Sequence, residues 1–300
     1  VVALKPLGPE GIFLAIVLGI GMVELSRLIL RPERQKDEGP PETTAIPSSV
    51  VDAFRSFLPI LTMVTVVWSL RHVVGFDIHA GILKVMQPMT SLGDSLGAVL
   101  ASNFFLHLFA VAGVHGISVI NAVMLPLWQQ FVAANAEAHT AGLPLPYTTA
   151  YPFYQWFIWI GGAGATLPPT LLLLMSGHGH LRRIGRVSLG PALFNVNEPF
   201  LFGLPVVANP LLAIPCVLAP LACGTVAWFG VAGGWVTAPF IEVPWVMPCF
   251  LGALLSTQDL RALLLLAFNF GLSAAIWWPF LKAYERRLKQ SGESPSPPRT

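Results

Sequence analysis

The stretch FNVNEPFLFGLPVVANP, Phe194 to Pro210, sets one carboxylate, Glu198, among three asparagines and three prolines inside otherwise apolar sequence. An acid placed near a bilayer midplane costs a few kcal/mol even on lenient insertion scales, so it marks a functional site by default. Asn195 and Asn197 bring amide donors and acceptors to its side, and Pro199 blocks regular helical pairing just after it. A carboxylate with neighbouring amides suits a hydroxyl-rich ligand, because ionised oxygens accept charge-assisted hydrogen bonds from sugar OH groups. The alternative is a structural ion pair with a cation at a helix end, and the nearest one by sequence is Arg186.

Two more side chains could join that chemistry. His115, in AGVHGIS, has glycines at 113 and 116 that permit close backbone approach. A lone intramembrane histidine is either a hydrogen-bonded core residue or a ligand contact, and a position at a helix break favours the second. Trp245, in VPWVMP, reads equally as an interfacial belt residue or as a platform for a sugar ring. His178 and His180, in SGHGH, precede an arginine cluster without further ligands at metal spacing, so they read as a solvated loop and no metal site is expected. Asp94 and Glu137 lie beside loops and read as solvated rim charges. Cys216, Cys223 and Cys249 lie in apolar surroundings with no Cys-x-x-Cys and read as small buried hydrophobes.

Membrane-spanning elements must position these groups. Of the 300 residues 54% are hydrophobic and only 11% charged, against about 25% charged in ordinary soluble domains. Mean hydropathy is +0.68. No Lys or Arg falls between Lys84 and Arg182, or between Arg186 and Arg261, so those stretches belong in or across the bilayer. A net charge of +2 held in a few cationic clusters fits orientation signals and excludes nucleic acid as the partner. Ile12 to Leu30 is long enough to cross about 30 Å of hydrocarbon, and Arg27, Arg31, Arg34 and Lys36 place its C-terminal end in the cytoplasm.

Farther along, Ser48 and Ser49 are candidate N-caps for a helix over Val51 to Val74, either spanning or interfacial. FDIHAGILKVMQPM has the pattern of a helix lying on the membrane surface. From Ser91 the apolar sequence is cut by Gly113, Gly116 and Pro126, which predicts two half-length helices around a break. GGAGATLPP interrupts the next unit, because glycine costs about 1 and proline about 3 kcal/mol per helical position. Spans are predicted at Pro205 to Gly230 and Asp259 to Tyr284, with the proline-broken TAPFIEVPWVMPCFLGALLST between them. Non-helical backbone at membrane depth survives only where protein or a wet cavity covers it. Broken helices of this kind point to a solute site, as in secondary transporters. The fold class is therefore an all-α integral membrane protein, a multi-span helical transporter with re-entrant, proline- and glycine-broken hairpins.

The motifs GVHGIS, IGGAGATL, PALFNVNEPFLFGLPVVANP and VPWVMP, in that order between about Gly11 and Lys289, resemble enzyme IIC of the lactose/cellobiose/diacetylchitobiose branch of the bacterial sugar phosphotransferase system. The resemblance implies ten helices, two re-entrant hairpins, and a homodimer in which a transport domain shifts as a rigid body against a scaffold. Its glutamate falls on Glu198 and its histidine on His115, beside the sugar hydroxyl to be phosphorylated. Its hairpin tip falls on Gly161 to Thr166, which makes Gly162, Gly164 and Thr166 candidate sugar contacts with Asn195, Asn197 and Trp245. The phosphoryl donor would be a cysteine of a separate phosphorylated enzyme IIB, with no cofactor, so none of the three cysteines here would be phosphorylated. Ile117 stands where a polar residue is expected after His-Gly.

The resemblance also implies further N-terminal scaffold helices, so the chain, which starts at Val1, is expected to be a fragment or a degenerate product. The expected division is a last scaffold-type helix and loop over 1–50, interfacial connecting helices over 51–90, a transport domain over 91–289 and a disordered cytoplasmic tail over 290–300. The function this implies is a disaccharide permease in the bacterial cytoplasmic membrane, in contact with lipid, its C-terminus cytoplasmic, and a homodimer if the N-terminal helices are present. The competing reading is a truncated, non-phosphorylating sugar-binding or sensor protein. A metal-dependent intramembrane enzyme is remote, since no His-Glu-x-x-His is present.

Overall fold

In a computed structural model the described residues are 12–29, 48–76, 81, 92–207 and 209–290. Their regular elements are helices, with no strand among the described residues. The chain divides into two compact units, 1–88 and 89–300. In the first, α1 (Ile12–Ile29) packs against α2 (Ser48–His72), close enough that a Cβ on Gly21 would lie 3.2 Å from Met63 Cε. Ser48 and Ser49 open α2 from within its first turn instead of preceding it. The surface helix expected over FDIHAGILKVMQPM lies almost wholly outside the described residues, and the tail 291–300 lies outside them too.

The second unit carries α3 (Leu96–Val111), α4 (Gly116–Thr140), α5 (Tyr151–Phe157), α6 (Leu167–Leu174) and α7 (Gly179–Leu193). It continues through α8 (Glu198–Gly203), α9 (Pro210–Ala232), α10 (Cys249–Thr257) and α11 (Arg261–Gln290). Among the described residues, α4, α9 and α11 are long and apolar enough to cross a membrane. The break predicted after Ser91 is real and sits at Gly113 to His115. Its second arm is not half-length, because α4 runs 25 residues straight through Pro126. Proline removes one backbone donor from a helix, and packing by neighbouring helices makes that tolerable in membrane spans. Gly116 lets α4 meet α3, since a Cβ there would collide with the Leu106 carbonyl oxygen.

The GGAGATLPP interruption also appears as predicted. α5 ends at Phe157, the chain turns through 158–166, and α6 restarts with prolines at its second and third positions, where a missing N–H costs little. This hairpin packs among α9, α10 and α11, with α3 and α9 in contact behind it. Its side chains form the core: Phe153, Tyr154, Trp156, Phe157 and Ile158 are fully buried. The three cysteines are buried free thiols, as their surroundings predicted.

Two carboxylates clamp loop ends. Asp94 is not a solvated rim charge: it is half-buried and accepts hydrogen bonds from the backbone N–H groups of Thr148 and Thr149 and from the Thr149 hydroxyl at 2.7–3.0 Å, fixing the approach to α5. Asp259, buried ahead of α11, accepts from the Arg261 backbone N–H and guanidinium and from the Thr237 N–H and hydroxyl. His178 ends the loop ahead of α7 as its extended N-cap residue, whereas His180 stands exposed in the first turn of the helix, the ring centroids 6.4 Å apart.

Candidate functional site: a cavity under a glycine-rich tip

α7 ends at Leu193 with Phe194 as its C-cap, and Asn195 adopts φ +63°, a left-handed conformation that asparagine tolerates better than most residues. This turns the chain so that α8 starts at Glu198, with Pro199 in its first turn. The motif therefore positions Glu198 by stopping one helix and starting another within five residues.

The two asparagines act mainly on the tip. The Asn195 amide donates to the carbonyls of Trp245 (2.7 Å) and Met247 (2.8 Å), while its Oδ1 accepts from the Gly161 N–H (3.2 Å). The Asn197 amide donates to the Ala163 carbonyl at 2.5 Å. Both side chains are more than nine-tenths buried. Gly162 explains why the tip is glycine-rich on this side: it has φ +105°, and a Cβ would sit 2.7 Å from Asn197 Cγ.

These elements enclose a cavity of about 500 Å³, within the range that holds small organic ligands. Glu198, His115, Asn195, Asn197, Gly162 and Trp245 all line it. Gly164 and Thr166 do not. Gly164 faces the opposite side, donating its N–H to His107 Nε2 (2.8 Å) and accepting from Trp277 Nε1 (3.0 Å). Thr166 is fully buried, its hydroxyl donating to the Gly161 carbonyl at 2.7 Å.

Glu198 is exposed to the cavity, and among the described residues no cation pairs with it. The ion pair with Arg186 is not made. His115 caps α4: its Nδ1 accepts from the Ser118 N–H (3.3 Å) and sits 2.8 Å from the Ser118 hydroxyl. With Nδ1 accepting, the proton of a neutral ring lies on Nε2. The cavity thus offers a carboxylate acceptor and an imidazole donor together with the exposed Trp245 ring. Tyr151, Gln155 and Asn121 also line it, and sequence reasoning did not single them out. Their only signal was a polar group inside apolar helix sequence, with no motif to rank one above another.

A family model described as "Phosphotransferase system, EIIC" matches residues 1–220. The chain is similar to the putative permease IIC component YwbA of Bacillus subtilis, 33% identical over 289 residues, covering 94% of this chain and 64% of that protein. It is likewise similar to the lichenan permease IIC component of the same organism, 30% identical over 301 residues, covering 97% of this chain and 66% of the relative. It therefore spans just under two thirds of those two relatives. The crystal structure of the transporter ChbC, the IIC component of an N,N'-diacetylchitobiose-specific phosphotransferase system, superposes with a TM-score of 0.86 at 30% identity, over 98% of this chain and 69% of that one. The two relatives are permease components and the solved structure is a transporter component. With the family model matched over most of its length and the fold shared with a IIC transporter, the chain belongs to the EIIC family of the phosphotransferase system.

Proposed function

We propose that this chain is the sugar-binding and transport part of a phosphotransferase-system permease in the bacterial cytoplasmic membrane, with its C-terminus in the cytoplasm. Its substrate is a disaccharide of the cellobiose, diacetylchitobiose or lactose type. The observation that carries this reading is the Glu198 carboxylate, paired with no cation among the described residues, opening beside His115 and Trp245 into a cavity of about 500 Å³. The likeness to a diacetylchitobiose component supports the substrate class.

In this reading a terminal hydroxyl of the sugar donates its proton to Glu198, and His115 Nε2 donates to a hydroxyl oxygen, so the two groups hold opposite ends of the hydrogen-bond pattern. Trp245 stacks against a ring face. When a phosphorylated enzyme IIB docks, Glu198 takes the hydroxyl proton and the sugar oxygen bonds to phosphorus. The phosphorus–sulfur bond to the IIB cysteine breaks, and the thiolate leaves. Asn195 and Asn197 contribute by fixing the tip and the Trp245 segment around the sugar. Lipid surrounds the spans, and the protein forms a homodimer if the family's N-terminal scaffold helices are present.

The test is sugar-phosphate formation in membranes containing the chain and phosphorylated IIB. The Glu198→Gln variant is expected to lose most of it. A Glu198→Gln variant that bound sugar and delivered sugar phosphate as well as the parent would remove Glu198 from this role.

A further inference from the structure

Behind the cavity, His107 is fully buried and uses both ring nitrogens. Its Nδ1 lies 2.6 Å from the Asn103 carbonyl oxygen, which can only accept, and its Nε2 lies 2.8 Å from the Gly164 N–H, which can only donate. One tautomer satisfies both: neutral, with the proton on Nδ1. Asn103, one turn earlier on α3, accepts from Trp159 Nε1 at 2.9 Å. α3 therefore grips the hairpin at both ends of its turn.

The grip continues to the carboxylate. Gly164 adjoins Ala163, whose carbonyl accepts from the Asn197 amide, and Asn197 is the residue before Glu198. From these contacts we infer that His107 is a positioning residue: it fixes the height of the glycine tip and, through Ala163 and Asn197, the direction in which Glu198 enters the cavity. This rests on the proposed sugar site. It assigns His107 no contact with sugar, because the ring is fully buried behind the tip.

The geometry separates positioning from bulk packing. In His107→Leu the Gly164 N–H keeps its burial and loses its acceptor, which is the costly case for a hydrogen bond. In His107→Gln the side-chain oxygen can reach the position of Nε2 and accept again. Two readouts on the purified full chain in detergent test this: hydrogen exchange of the segment 158–166, and calorimetric binding of cellobiose, lactose and diacetylchitobiose. His107→Leu should exchange the tip amides at least tenfold faster and weaken binding of whichever sugar the parent takes by about tenfold. His107→Gln should restore both to within about threefold. In the Glu198→Gln background, His107→Leu should weaken binding further by clearly less than tenfold, because the two share one pathway.

Parent-like exchange and binding in His107→Leu would overturn the inference, as would a Gln variant no better than Leu at equal thermal stability. If the parent bound none of the three sugars, the proposed substrate class would fall, while the exchange data would still decide whether His107 holds the tip.

Discussion

At the scale of single residues, the site is a division of labour between groups that meet the cavity and groups that aim them. Glu198 and His115 present an acceptor and a donor, whereas both Asn195 and Asn197 commit their amide NH₂ groups to backbone carbonyls. This ordering has a consequence for binding. Glu198→Gln should weaken disaccharide affinity about tenfold or more, since hydrogen bonds to a charged group contribute roughly 1.5–3 kcal/mol. Ser118→Ala removes only one partner of His115 Nδ1 and should cost a few-fold, read in the same titration. Glu198 could be singled out in the sequence because a carboxylate in lipid-grade sequence is expensive, and the structure sets it in the cavity lining. His107 and Asn103 were not, because their partners Gly164 and Trp159 lie 57 and 56 residues away and a buried polar group on an apolar helix carries no spacing signal.

At the scale of elements, glycine and proline wrote the breaks into the sequence, and the breaks at Gly113 to His115 and at 158–166 fall where those residues cluster. Pro126 shows the limit of that rule, since packing carries α4 through it. Asp94 shows another: a loop-side acid reads as solvated until the chain returns Thr148 and Thr149 to it. Asp94→Asn should therefore lower stability by about 1–3 kcal/mol, seen as a lower thermal midpoint. Gly162→Ala should both destabilise the fold, given φ +105° and the contact with Asn197, and reduce sugar affinity, because the tip borders the cavity. Asp259 gives a pH signature from outside the spans, because α11 starts at Arg261 and not at Asp259 as the sequence predicted. Burial alone would raise its pKa, but hydrogen bonds from Arg261 and Thr237 outweigh burial and hold the carboxyl well below the ordinary carboxylate range. A folded-state pKa depressed in this way adds stability that is complete above the unfolded value near 4 and is lost as pH falls through the folded value. The thermal midpoint should hold between pH 8 and about pH 5 and drop below about pH 4, and Asp259→Asn should flatten that drop.

At the scale of the whole molecule, the cavity and every residue assigned to it lie in the unit 89–300. Exposed apolar side chains such as Leu264 and Phe268 on α11 fit a lipid-facing surface. Phe268→Arg should lower the membrane-integrated fraction, since arginine at a span centre costs about 2.5–3.5 kcal/mol on insertion scales. The most direct test of the proposed sugar site is calorimetry on the purified 300-residue chain in detergent with cellobiose, lactose and diacetylchitobiose, and Glu198→Ala as control. Saturable binding of at least one sugar, lost in the variant, is the predicted result. No binding by a sample that melts cooperatively, or equal binding by Glu198→Ala, would contradict it.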